Sequence, residues 1–412
     1  MNTPTAGRLA VVLTFFGAAY FLSLFFRSVN AIIAPDLTQE LGLGPADIGL
    51  LTASYFLGFC VMQVPIGVFL DRFGPGPVQA CLLSIAAIGI GCFAIGESLW
   101  LLVVARGMIG VGLAGALMAA FHASALWVSS SRLPFANGCF LAVGGLGVLA
   151  STAPVELALE WISWRQLFAA IAFIAAGVAM AIFWITPRID VEAREPGWLQ
   201  QFRELRIVAT DSHFLRYAPI TAICFATGTA MQGLWAGAWL REIAGFDREL
   251  AAIYLTAMAV ALTAGSIGGG LLSVALNRFG FGVRHIVLGA AVIFIVSQFI
   301  LIIGPADETA PVWVIFALTY NVITLSYSAL AQHFRQELVG RANSLLNAVV
   351  VGLTFIVQYG FGIAIAAWSS DPGDQVPEIA FRITLGVLLI VQLLCFVWLL
   401  GGEGRMAKKA SG

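Results

Sequence analysis

Twelve apolar runs, most of them 20 residues or longer, constrain this chain more than any single motif does. A helix rising 1.5 Å per residue needs about 20 apolar residues to cross roughly 30 Å of hydrocarbon. The runs at 9–34, 48–70, 78–96, 100–128, 135–159, 165–186, 217–240, 251–276, 284–304, 312–334, 343–368 and 379–401 meet that need. Only 10% of the residues are charged, 60% are hydrophobic and the mean hydropathy is +0.94. A soluble globular chain carries about 25% charged residues, so this one cannot coat itself for water. The sequence therefore predicts an all-α membrane protein of twelve spanning helices. The first run exceeds the core of a cleavable signal and is expected to stay in the membrane, with no targeting peptide.

Basic residues give the orientation, because loops rich in Lys and Arg are retained in the cytoplasm. With the N-terminus inside, fifteen of the 21 Lys and Arg residues fall in cytoplasmic segments and four (Arg165, Arg241, Arg248, Arg382) fall outside. The other two, Arg27 and Arg106, lie within apolar runs. Both termini are expected in the cytoplasm and the chain in the cell membrane, the inner membrane if the source is bacterial. A net charge of −1 gives no basic surface for phosphates, which excludes nucleic acid as a partner. The six cysteines sit in apolar runs without C-x-x-C spacing, so no zinc or redox site is expected, and no metal or cofactor.

The longest polar break is 187–216, which divides the chain into an N-terminal six-helix bundle (1–186), a cytoplasmic linker (187–216) and a C-terminal six-helix bundle (217–412). The halves look like repeats. Arg72-Phe73-Gly74 reappears 206 positions later as Arg278-Phe279-Gly280, and Ala136-Asn137 as Ala342-Asn343, and the same offset aligns the runs closely. Parallel repeats of this kind build rocking carriers with the solute bound near the bilayer midplane.

Local motifs agree. Gly67-Val-Phe-Leu-Asp71-Arg72-Phe-Gly74 resembles the G-x-x-x-D-R-x-G signature of the major facilitator superfamily. Arg106-Gly-Met-Ile-Gly110-Val-Gly112 resembles that family's R-x-x-x-G-x-G, and Trp164-Arg165-Gln-Leu-Phe168 its W-R-x-x-F. The resemblance implies a secondary transporter in which Gly67, Asp71, Arg72 and Gly74 form a gating motif, with Asp71 meeting a helix N-terminus of the other half. Pro75, Gly76 and Pro77 replace the usual basic residues after this motif, and Asn277 replaces the acid in its second-half echo. Ser151 and Thr152 stand where drug antiporters carry a Gly-Pro pair.

A charge at mid-membrane costs about 2.5 to 3.5 kcal/mol on insertion scales, so Arg27, Arg106 and Glu156 are functional candidates by default. Arg27 shares a helical stripe with Tyr20, Ser23 and Asn30. The stretch from Arg27 to Pro35 resembles the first helix of organic-anion and organophosphate carriers within the superfamily, in which such an Arg binds the anionic head group. A guanidinium stays charged and can grip a carboxylate with two hydrogen bonds. The position 206 residues on is Gly233, so one charge faces the solute, which suits a monoanionic carboxylate or sulfonate.

Further wall positions are expected at Tyr55 and Gln63, at Gln232 and Trp235, at Asn321 and at Gln358. Arg106 and Glu156 form either an ion pair or a proton-coupling device. H-E-x-x-H, G-x-S-x-G and P-loop motifs are lacking, which argues against an enzyme and against ATP as energy source. The expectation is a monomeric, proton-coupled symporter of a small organic anion. The alternative is a proton-driven exporter of amphipathic or drug-like compounds, motivated by the aromatic wall stripes.

Overall fold

The structure, a computed structural model, describes residues 6–129, 131–187, 198–368 and 377–401. All regular structure among these residues is helical, as it must be where no water is available to hydrogen-bond the backbone. The chain divides into two compact units, Met1–Glu195 and Pro196–Gly412, a division that falls inside the polar break.

The first unit contains α1 (Ala6–Ser28), α2 (Asn30–Leu41), α3 (Pro45–Phe73), α4 (Pro75–Ile95), α5 (Leu99–Leu113), α6 (Ala116–Trp127), α7 (Leu133–Ala150), α8 (Ala153–Leu159) and α9 (Trp164–Ile185). The second contains α10 (Trp198–Ala209), α11 (Ser212–Ala230), a π-helical turn at Met231–Trp235, α12 (Ala236–Ala238), a second π turn at Trp239–Ile243, α13 (Arg248–Asn277), α14 (Val283–Ile303), α15 (Val312–Val322), a short 3-10 turn, α16 (Ser326–His333), α17 (Gln336–Ala366) and α18 (Glu378–Leu400).

Within each unit the same helices pair. α1 packs on α7, α3 on α5, and α4 on both α5 and α9. Their counterparts repeat the pattern, with α11 on α17, α13 on α15, and α14 on both α15 and α18. The chain turns alike as well: Gly74 (φ 76°) and Gly280 (φ 82°) both lie in the left-handed region that a side chain disfavours. On α18 an apolar stripe at helical spacing (Ile379, Ile383, Val387, Ile390, Leu394, Val397) is exposed, which suits lipid and not water.

Each of the twelve expected runs is occupied by helix, yet several are broken. Ten helices among the described residues are long and apolar enough to span as single pieces, and an eleventh is bent by 41° between Ala150 and Ala153. At that bend Pro154 cannot donate to the Ala150 carbonyl, while the hydroxyls of Ser151 and Thr152 donate to the Val148 and Leu149 carbonyls, each at 2.7 Å. The run at 217–240 is divided by the π turns, and the first run is interrupted at Val29. Part of the polar break is itself helical: α10 is tied to α17 by Glu204 and Arg341 at 3.1 Å.

Candidate functional site

The polar stripe that runs from α1 into the start of α2 meets the stripe of α3. Asn30 Nδ2 donates to Thr52 Oγ1 at 2.8 Å. Tyr55 Oη donates to the Ser23 carbonyl at 3.0 Å, and Ser23 Oγ to the Leu113 carbonyl at 3.2 Å. Gln63 Nε2 reaches back to the Phe59 carbonyl at 3.4 Å on its own helix. Tyr20 is half-buried against α7, with its ring filling the space beside Gly144. Asn30, Tyr55 and Ser23, on the wall expected to face a solute, thus hold neighbouring helices to each other.

Arg27 is different. Its guanidinium carbon lies 4.8 Å from the centroid of the Phe59 ring, and its Nε is buried without an acceptor. Among the described residues no carboxylate reaches ion-pair distance of it. A cation resting on an aromatic face, with its Nε–H unused, can receive an anion.

Of the two alternatives for Arg106 and Glu156, the contacts of Arg106 do not include the ion pair. Arg106 is fully buried, donates through Nη1 to the Phe26 carbonyl at 3.3 Å, and lies 5.9 and 5.3 Å from the ring centroids of Phe26 and Phe93. Glu156 sits half-buried in the first turn of α8, a helix whose direction is set by the bend before it. The carbonyls in the last turn of a helix lack intrahelical donors. The interruption at Val29 ends α1, and Arg106 takes one of the carbonyls so released.

The gating motif lies across the α3–α4 junction. Gly74 closes α3 by donating to the Leu70 carbonyl at 3.0 Å, Asp71 and Arg72 are exposed, and Arg72 lies over Phe73. A Cβ on Gly67 would meet nothing within 4 Å.

In the second unit Gln232, Gly233 and Trp235 all lie on the π turn, which the spacing of the sequence did not reveal. Trp235 packs on Phe361, with ring centroids 5.1 Å apart, and its indole donates to the Gln358 backbone carbonyl at 3.3 Å. Turned so that both its ends are satisfied, the Gln358 side chain accepts from the same indole at 2.9 Å and donates to the Ala230 carbonyl at 3.3 Å. Gln358 therefore braces the π turn. Asn321 braces α13 instead, donating to the Leu262 carbonyl at 2.8 Å and to Ser266.

Sequence reasoning missed Tyr320, whose hydroxyl donates to Gln232 Oε1 at 2.6 Å. The signal was available, since a tyrosine in the middle of an apolar run needs a partner for its hydroxyl. Arg165 and Arg382, read from the sequence as loop charges, cap helices. Arg165 donates to the Ala94 and Gly96 carbonyls at the end of α4, and Arg382 to those of Ile302 and Gly304 at the end of α14. Among the described residues no cluster of His, Cys, Asp or Glu could hold a metal.

The sequence model described as Major Facilitator Superfamily matches residues 16–357. Over 366 residues the chain is 24% identical to the probable sulfoacetate transporter SauU of Cupriavidus necator, covering 83% of this chain and 84% of that protein. Over 163 residues it is 26% identical to the galacturonate transporter of Dickeya chrysanthemi, covering 40% of this chain and 46% of that protein. Its fold is similar to the crystal structure of a bacterial homologue of the human lysosomal transporter Spinster in an inward-facing and occupied conformation. The TM-score there is 0.77 at 18% identity, covering 96% of this chain and 97% of that one. Two packing repeats, apolar spanning helices and a family match across most of the sequence lead to one conclusion: this chain belongs to the major facilitator superfamily and is a multi-pass membrane transporter, not an enzyme.

Proposed function

We propose that the protein moves a small monoanionic organic acid, a carboxylate or sulfonate, across the cytoplasmic membrane by alternating access, with Arg27 as its anchor. One observation carries this reading: the Arg27 guanidinium lies on the Phe59 ring with a buried Nε that has no acceptor, and no acid among the described residues neutralises it. Holding an uncompensated cation at membrane depth is costly, and an anionic solute offsets that cost on each cycle. Two relatives named for anions, sulfoacetate and galacturonate, support the same class.

In this reading both termini face the cytoplasm, a single chain suffices, and protons are the coupling ion, with Glu156 as the carboxylate that takes one up. On the same reading Arg106, which bonds the Phe26 carbonyl, holds the helix that carries Arg27.

Purified protein in liposomes tests the anchor. Exchange of a labelled short-chain sulfonate should be lost in Arg27→Gln and weakened in Arg27→Lys, which keeps the charge and loses the two-pronged grip. Exchange at the wild-type rate in Arg27→Gln would end the proposal.

A further inference from the structure

Within the first unit, α7 and α9 each pack on α1 rather than on each other, and the space between them is a groove of about 820 Å³. Gly17, Phe21 and Phe25 lie along its floor on α1, with Phe140 on the α7 wall and Ile171 on the α9 wall. The rims are open, since Phe135 is 77% exposed and Ile174 is 58% exposed. The one hydroxyl in the lining, that of Thr14, is spent on the Ala10 carbonyl at 2.9 Å. From Leu9 to Phe25 the floor rises about 24 Å, more than the roughly 15 Å of hydrocarbon in one leaflet.

Arg132 is the one charged residue in the lining. Gly17 faces Phe140 and Val143, and Gly144 faces Tyr20, so α1 and α7 run in parallel and Arg132 is level with the start of α1. At that same end Arg8 donates to the Ile185 carbonyl at 3.2 Å, which fastens α9 to the floor. Arg132 is exposed just before the apolar run of α7 begins, at the depth of phospholipid head groups. Among the described residues no carboxylate reaches ion-pair distance of it.

We propose that this groove seats one acyl chain of an anionic phospholipid, with the phosphate on Arg132. The chain alone does not select its lipid, because groove and bilayer are both hydrocarbon and no hydrophobic gain separates them. The charge at the mouth does. A guanidinium at the membrane surface favours an anionic head group by about fivefold, whereas a zwitterionic head group carries its own cation. A soluble anion would meet Arg132 and leave the apolar length of the groove unfilled. The seated chain packs on α1, the helix that carries Arg27.

Native mass spectrometry of the purified full chain tests this, with equimolar dioleoylphosphatidylglycerol and dioleoylphosphatidylcholine, which share their chains and differ in head group. Wild-type protein should retain the anionic lipid about fivefold over the zwitterionic one, and Arg132→Gln should bring that ratio to about one. Ala18→Trp fills the groove from the floor and Cys139→Trp from the α7 wall, and each should lower retention of both lipids. The two sides are filled separately, so a variant whose melting departs from wild type leaves the other to decide, and Arg132→Gln decides without either. A wild-type ratio near one would overturn the proposal, leaving an ordinary lipid-facing surface. A preference that survives Arg132→Gln would overturn it by placing the head group elsewhere, and wild-type retention in both filled variants would do so for the chain. None of these outcomes bears on Arg27 as the solute anchor.

Discussion

Arg106 Nη1 donates to the carbonyl of Phe26, the residue immediately before Arg27, at 3.3 Å. Ser23 Oγ returns the gesture from α1 by donating to the Leu113 carbonyl at the end of α5. Two interrupted spans thus supply carbonyls to each other's side chains, and the backbone carrying Arg27 is held from the α5 side. Burying a cation without a carboxylate is weak ground for stability, and an apolar replacement of similar volume is often tolerated. Arg106→Met should therefore change the unfolding free energy by only about 1 to 2 kcal/mol. Solute affinity should fall by about tenfold as the end of α1 loosens, the worth of one such bond. The pH profile of transport should keep its shape, because the contacts of Arg106 are the Phe26 carbonyl and the Phe26 and Phe93 rings, none of which titrates. Parallel melting curves and concentration-dependent uptake at several pH values check this, and a displaced pH profile would restore Arg106 to the proton path.

Arg165 and Arg382 are the same device in the two units, and they make a graded prediction. Glu40 holds Arg165 at 2.8 Å and accepts from the Trp164 indole at 2.6 Å. The Arg165 hydrogen bond, ahead of that from Trp164 and against partial desolvation, keeps the Glu40 carboxyl below its ordinary value of 4.5. A carboxyl whose folded pKa is lowered contributes stability above its unfolded pKa and loses it as pH falls through the folded value. Wild-type protein should therefore lose more of its melting temperature between pH 5 and pH 3 than Glu40→Gln does. Glu40 is 45% exposed, so solvent screening keeps the difference below about 1 kcal/mol. Arg165→Ala should cost more, about 2 kcal/mol at neutral pH, because it also uncaps the Ala94 and Gly96 carbonyls.

What the sequence made legible follows from this division of labour. Twelve helices could be read because the bilayer demands length and apolarity locally, and the repeat could be read at Gly74 and Gly280 because a left-handed turn demands glycine locally. Arg27 could be singled out because an intramembrane charge is conspicuous by itself. The interruption at Val29, the π turn under Gln232, and the pairing of Tyr55 with Ser23 and of Tyr320 with Gln232 depend on a second helix arriving at a given height. No spacing within one run encodes that. The choice between an ion pair and a proton-coupling role for Arg106 and Glu156 stayed open in the sequence for the same reason: similar depth on consecutive spans says nothing about which faces meet.

Close helix approach gives a prediction with an internal control. A Cβ on Gly110 would lie 2.0 Å from the Tyr55 carbonyl oxygen, and one on Gly58 would lie 2.1 Å from that of Gly107. Both obstacles are backbone, so α3 and α5 would have to separate, and with them the Tyr55 and Phe59 side chains that meet α1. Small residues set such approaches in membranes, where packing and not water drives helix association. Gly110→Ala and Gly58→Ala should each destabilise by about 1 to 3 kcal/mol, the range for overpacking. Gly177, where a Cβ would meet nothing within 4 Å, serves as control. Gly177→Ala should be neutral or stabilise by up to about 1 kcal/mol through helix propensity. Thermal unfolding in one detergent compares all three, and equal losses would mean the seam does not limit the fold.

His213 and His333 stack with ring centroids 3.9 Å apart and planes 22° from parallel, outside the 217–240 run. Asp211 serves both neighbours, accepting from the His213 and Phe214 backbone amides as the cap of α11 and lying 3.3 Å from His333 Nε2. Burial first, then the charges of His333, Arg216 and Arg284, push the His213 imidazole below its ordinary 6.5, against the pull of Asp211. A histidine with a lowered folded pKa prefers to be neutral in the native state. Its contribution is complete above the unfolded pKa and is lost as pH falls toward the folded value. The protein should therefore melt at progressively lower temperature as pH drops from 7 to 5, and His213→Gln should flatten that slope while leaving the melting temperature at pH 7.5 nearly unchanged. Asp211→Ala removes the α11 cap as well and should cost about 1 kcal/mol at both ends of the range. Melting curves for the three proteins across this interval decide the point, because a slope that survives in His213→Gln would place the titrating group elsewhere.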